Sequence, residues 1–304
     1  MVNKPFPVEF DPVIYTERNA DLRKLGEKQL YKHYEKFGKN EGRICSKVAS
    51  RADFKNLIKP EGKTGLEIGP LDKPLIDAGA YQVERLDYLS QNQLKEKFLE
   101  SDQVNVEDIV YVDYVWKGEP YEELIRKRFD YVVSSHNIEH SPDLISFLKN
   151  ISAVLKDNAN LFLFIPDKRY CFDHFRSLTN LHEVLFAHLN NHKKPSIYSI
   201  LEERNQRAHN EAMRHWNGDH GYPQNRLFDE IYQKPLPDLI RDIEVMNTKY
   251  NDTHVWQFTP DSFKFIISYL MKNCLIDLEL VRLYPTIRGQ LEFFAIMRKV
   301  KENF

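Results

Sequence analysis

The sequence predicts an α/β fold: an open, doubly wound and mostly parallel sheet with an antiparallel closing strand, preceded by a helical module and interrupted by a helical insertion. Three observations predict it. Five short apolar runs between residues 64 and 166 are continuous rather than alternating, as strands covered on both faces are. Helical periodicity lies between the later runs, clearest at Leu144, Phe147, Leu148, Ile151, Val154 and Leu155. The first run ends in Glu67-Ile68-Gly69 and the second in Asp87, eighteen residues after that glycine.

Taken in order, residues 1–50 read as a separate module. Phe10, Tyr15, Leu22, Leu25, Leu30, Tyr31, Tyr34 and Phe37 fit two or three short helices, with Asp11 or Asp21 as caps and Gly38 as a stop. Such a module either packs as a cap on the main domain or serves in docking and chain positioning. Residues 51–304 form that main domain. Its expected strands are Leu66–Ile68, Val83–Leu86, Ile109–Val112, Phe129–Ser135 and Leu161–Pro166, with Asp157-Asn158 closing the helix before the fifth. The rhythm then stops. Residues 170–253 hold seven of the eleven histidines, with helical stretches at Ser196–Arg214 and Leu236–Asn247, and read as an acceptor-binding insertion covering the carboxyl ends of the strands. Thr259 caps a helix with Pro260 at its first position, and strands Asp277–Leu283 and Glu292–Met297 follow as an antiparallel pair.

Composition narrows the function. Lys+Arg 43 against Asp+Glu 45 leaves a net charge of -2, so no global positive field draws nucleic acid. Cys45, Cys171 and Cys274 are scattered, odd in number and without metal-ligand spacing, as in a reduced cytoplasmic protein. The first residues lack the apolar core of a signal peptide, and no apolar run is long enough to span a bilayer.

The chemistry starts at Thr64-Gly65-Leu66-Glu67-Ile68-Gly69-Pro70. A glycine after a strand lets a nucleoside cofactor approach the backbone, and an acid at the end of the next strand receives ribose hydroxyls. Pro70 and Leu71 take the place of further glycines, so the dinucleotide pattern is missing and a nicotinamide oxidoreductase is disfavoured. Together with Asp87, Ile138-Glu139-His140, Val154-Leu155-Lys156 and Leu161–Pro166, the run resembles the motifs of class I S-adenosylmethionine (SAM) methyltransferases, over roughly residues 60–170 and 255–300. That resemblance implies a Rossmann-like methyltransferase sheet. It puts Glu67, Gly69 and the Pro70 loop at the methionine end of SAM, Asp87 on the ribose, Asp113 near the adenine, and His136 and Asn137 beside the cofactor. Phe10–Arg43 resembles a small helical module attached to bacterial surface-polysaccharide enzymes, and Pro166–Tyr170 with Phe172-Asp173 and His254-Val255-Trp256 resembles a narrower group of bacterial methyltransferases found with polysaccharide glycosyltransferases.

For methyl transfer to a hydroxyl, His140 or Asp167 is the expected proton acceptor; otherwise His140 caps or packs at the start of its helix. Lys168, Arg169 and Arg176 suit a carboxylate or phosphate, Tyr170 suits a sugar ring, and His174 and His254 complete the expected substrate side. His215, Asp219 and His220 match no metal-ligand signature, and no metal is expected. The expected activity is O-methylation of a sugar, acidic sugars included, in bacterial surface glycan assembly. The partners would be a glycan acceptor and glycosyltransferases of the same pathway, in the cytoplasm or at the inner face of the membrane. A small metabolite or terminal phosphate as acceptor, or a binding module without catalysis, are the alternatives.

Overall fold

Alternate residues of the apolar runs enter two different cores, which is why those runs are continuous. Leu66, Ile68, Val132, Leu161 and Leu163 pack on one side with the helices Leu144–Val154 and Pro260–Lys272. Tyr131, Val133, Phe162, Phe164 and Phe294 pack on the other with Phe54 and Ile58. The computed structural model describes residues 7, 9–223, 235–248 and 250–300. Its strands are β1 (Thr64–Ile68), β2 (Gln82–Asp87), β3 (Tyr114–Val115), β4 (Phe129–Ser135), β5 (Leu155–Pro166), β6 (Leu278–Tyr284) and β7 (Glu292–Lys299). They form one sheet in the order β3-β2-β1-β4-β5-β7-β6. The first five run parallel, and β7 lies antiparallel between β5 and β6. Strand order reverses between β1 and β4, and this switch point opens a crevice at the carboxyl ends of the strands.

Two boundaries differ from expectation. The third strand pairs at Tyr114–Val115, not Ile109–Val112, because Ile109 and Val112 are buried with Leu94 beside the helix Gln91–Lys97. Asp157-Asn158 does not close a helix. That helix ends at Val154, and Leu155 already pairs with Phe129 as the start of β5. Buried Lys299 supplies the closure instead, its Nζ donating to the carbonyls of Ser152 at 2.8 Å and Leu155 at 3.3 Å.

The N-terminal segment has its own small core of Phe10, Tyr15, Leu22, Leu30, Tyr34 and Cys45. Asp11 caps the helix Pro12–Arg18 through the amides of Val13 and Ile14, whereas Asp21 pairs with Arg43. The helix Glu27–His33 runs into a wide turn ending at Gly38, where a side chain would lie 2.2 Å from the Tyr15 hydroxyl. The segment joins the main domain through the Gly42 carbonyl, which accepts from the Arg288 amide at 3.0 Å.

The insertion contains the helices Leu181–Leu189, Ile197–Gln206, Ala212–Trp216 and Leu236–Thr248; its residues 224–234 and 249 lie outside the described residues. The stretch expected to be helical from Ser196 to Arg214 breaks after Gln206, where the Ala208 amide turns to the Phe172 carbonyl.

Candidate active site

A cavity of about 480 Å³ occupies the crevice at the carboxyl ends of β1, β2 and β4. Its floor includes Ile68 and Gly69 after β1, Asp87 and Tyr88 at β2, and His136, Asn137 and His140 after β4. The insertion supplies His192, Lys193, Tyr250 and Asp252 to the same lining, so part of it borders the strand ends. Tyr88 and Tyr250 approach across the cavity with ring centroids 6.3 Å apart.

Gly69 is the backbone cradle. Its φ is +63°, and a Cβ would lie 2.3 Å from Nδ2 of Asn137. Leu71 and His136, both lining the cavity, also hold left-handed backbone with φ of 49° and 47°. Non-glycine residues keep such conformations only where the surroundings enforce them. Asp87 is 6% exposed and accepts from the Tyr88 amide at 2.7 Å. Burial outweighs that hydrogen bond and pushes its pKa up to about 6.

Three expected cofactor residues take other positions. Glu67 is buried and turns away from the cavity lining, accepting from the Leu75 amide at 2.5 Å and the Ile76 amide at 3.4 Å. It shapes the loop after Gly69 from behind. Pro70 is buried within that loop, where its carbonyl accepts from the Lys73 amide. Asp113 is exposed and clips back onto β2, accepting from the Arg85 amide at 2.8 Å; Trp116, Lys117 and Gly118 line the cavity after β3.

The acceptor side centres on histidines. His140 pairs through Nδ1 with Asp252 at 2.8 Å. Burial opposes its charge, but the Asp252 hydrogen bond and the Glu139 carboxylate prevail and raise its pKa to about 9. At neutral pH it is a charged donor in the free protein rather than a ready base. His136 pairs through Nε2 with Glu292 at 2.9 Å. His254 meets Asp173 through Nδ1 at 2.5 Å, and its ring lies edge-on to His140 with centroids 4.6 Å apart.

The residues expected to bind substrate from the start of the insertion form a partly buried polar brace outside the cavity lining. Asp167 is fully buried, held by Arg169 through two bonds of 2.9 and 2.6 Å and by Thr286 at 2.6 Å, so no oxygen is presented to an acceptor. Lys168 donates to the His174 carbonyl at 2.9 Å, and His174 to the Arg169 carbonyl at 2.8 Å. Tyr170 stacks on Trp216 at 3.7 Å. Arg176 has no exposed side chain and binds Asp173, Glu202 and the carbonyls of Ser199 and His254. An Asp173 carboxylate between Arg176 and His254 is held well down, at about 2, despite its burial. Sequence reasoning missed Asp252, which stands two residues before His254-Val255-Trp256 but outside that motif. Glu139 sits in plain view inside Ile138-Glu139-His140, yet the motif alone assigns it no role.

A second cavity of about 380 Å³, lined by Ile200, Glu203, Arg204, Arg207, Asn251, Asp252 and Thr253, shares Asp252 with the first.

A parallel sheet of this order, with a glycine cradle after β1 and a buried acid at the end of β2, defines a nucleoside-cofactor enzyme of the doubly wound class. A family model described as a methyltransferase domain matches residues 39–266, and the chain belongs to that family. Among curated proteins none matches it. It is similar to a SAM-dependent methyltransferase from Methanosarcina mazei at 17% identity, covering 81% of this chain and 97% of that one with a TM-score of 0.38. It is also similar to the CcbJ methyltransferase of Streptomyces caelestis at 13% identity, covering 86% and 95% with a TM-score of 0.39. SAM is the cofactor, and Gly69, Asp87 and the cavity between them suit it: a close backbone approach, an acceptor for ribose hydroxyls, and room for the nucleoside. Among the described residues no helix is long and apolar enough to cross a membrane.

Proposed function

We propose that this SAM-dependent methyltransferase O-methylates a sugar, one bearing an acidic group, during bacterial surface glycan assembly. Bound SAM supplies the electrophilic methyl group. The chain's part is to fix the nucleoside on Asp87, keep the backbone clear at Gly69, and bring a hydroxyl to the His140–Asp252 pair. The observation that carries the reading is that the two cavities share Asp252. One is the cofactor crevice; the other offers Arg204, and Arg207 paired with Glu203 at 2.5 Å yet 40% exposed, a polar wall suited to a sugar carboxylate. The Arg207 guanidinium lies 4.0 Å over the Phe172 ring, which fixes the plane it presents. Such an acceptor would be delivered by glycosyltransferases of the same assembly.

The test is transfer of labelled methyl from SAM to uronic-acid glycans, neutral glycans, small phenols and phosphate monoesters. Acidic glycans should be the best acceptors, and a double change Arg204→Ala with Arg207→Ala should raise their KM while SAM affinity stays the same. Transfer to phenols or phosphates with no glycan accepted would overturn the assignment.

A further inference from the structure

Behind His140 stands a carboxylate with no hydrogen bond. Glu139 is 0% exposed, and neither of its oxygens has a hydrogen-bond partner. A buried ionised carboxylate without donors is costly, so in native proteins such groups are paired or bind a cation. Its neighbours are histidines. Nε2 of His254 lies 3.8 Å from Oε1, and Nδ1 of His136 lies 3.7 Å from the same oxygen. Both separations are too long for hydrogen bonds. One donor atom each from Glu139, His140 and His254 falls within 4.8 Å of the others. Two ligand atoms at ~2.0–2.2 Å from a tetrahedral zinc ion lie about 3.3–3.6 Å apart, so side-chain rotations that draw the trio in by about 1 Å would close it on an ion.

The outer groups favour the same reading. His140 and His254 both use Nδ1 on a carboxylate, Asp252 and Asp173 respectively. That arrangement fixes each ring and leaves Nε2 for a metal, which displaces the proton His140 carries there in the free protein, as in carboxylate–histidine–zinc sites. We infer that Glu139, His140 and His254 form a site for a divalent first-row cation, with Zn²⁺ the best match to two imidazoles and one carboxylate.

The second histidine group, His174, His215 and His220, is a poorer candidate. His174 and His220 stack in parallel at 3.7 Å, so their in-plane lone pairs do not converge, and His215 already meets His220 at 3.1 Å.

Because His140 lines the cavity, an ion here borders the place where an acceptor meets the cofactor. The site stands by itself; its part in turnover rests on the proposed sugar methylation. A hydroxyl on the ion is more acidic. In the transfer the sulfonium–methyl bond breaks, an oxygen–methyl bond forms, and the hydroxyl proton passes to water.

The experiment is a Zn²⁺ titration of the full chain after chelator treatment, followed by calorimetry and thermal melting. The wild type should bind one Zn²⁺ per chain and melt higher with it. Glu139→Gln should lose that binding, Asp252→Asn should weaken it about 10–100-fold as outer partners do, and His220→Asn should retain it. A wild type that binds no Zn²⁺, or a Glu139→Gln variant that binds like wild type, overturns the site, as does loss of binding in His220→Asn. Should the variants not fold, nitrogen-labelled histidine in the wild type answers the same question. Zn²⁺ should move the Nε2 signals of His140 and His254, and movement confined to His174, His215 and His220 overturns the assignment. Glycan methylation without Zn²⁺ binding would remove the metal and leave the proposed function standing. Zn²⁺ binding with no glycan methylated would do the reverse.

Discussion

Asp87 carries the plainest prediction at the scale of single residues. Its pKa of about 6 is raised by burial, so in the free protein the carboxylate is lost as pH falls through that value. Ribose hydroxyls need the ionised acceptor, and SAM affinity should therefore rise with pH up to about 6 and level off above it. Asp87→Ala should cost about 1.5–3 kcal/mol for each charge-assisted hydrogen bond removed and flatten that pH profile, both readable by calorimetry. Gly69→Ala should abolish SAM binding, since its methyl would strike Asn137 and its φ of +63° is unfavourable to alanine. Arg176 tests a structural role. Replacing it by Met leaves Asp173 and Glu202 buried without their cation, and denaturant melts should show a loss of about 3–5 kcal/mol. If Arg176→Met melted like wild type and lost only substrate affinity, Arg176 would belong to the acceptor site as its sequence neighbourhood suggests.

For individual elements, legibility in the sequence followed the period of burial. Strands β4 and β7 were legible because each is a largely apolar run with both faces covered, and β1 and β2 because short apolar stretches end at Gly69 and Asp87. The third strand was not, because Ile109 and Val112 are apolar for a different reason: they fill a side cluster before the two-residue strand begins. In the site, Gly69 and Asp87 were legible since strand ends fix where they point. Lys168, Arg169 and Arg176 were misplaced because charge density looks alike whether it faces a ligand or closes on itself. Arg169 and Arg176 close on the near neighbours Asp167 and Asp173, and Glu202, brought in from far along the chain, completes the closure around Arg176. Lys299 shows the same effect at a helix end. Lys299→Met should remove the ammonium from the Ser152 and Leu155 carbonyls, the former keeping its bond from the Leu155 amide, and cost about 1–3 kcal/mol, measured by chemical denaturation.

On the scale of the whole molecule, β7 links regions far apart in the chain. It pairs with β5 along seven residues, and Glu292 at its start binds both Arg51, before the sheet begins, and His136 beside the cavity. A ribosome makes this strand after every other part of the sheet. Until it emerges, β5 carries an open edge, and His136 and Arg51 lack their shared carboxylate. The first five strands therefore leave the exit tunnel as an incomplete and adhesive intermediate, since unpaired strand edges attract other chains. A nascent chain stalled near Leu275 should remain protease-sensitive throughout β4 and β5, and extension past Lys299 should protect both at once. The cell would then have to shield each half-made copy until its last strand slides between two neighbours already waiting for it.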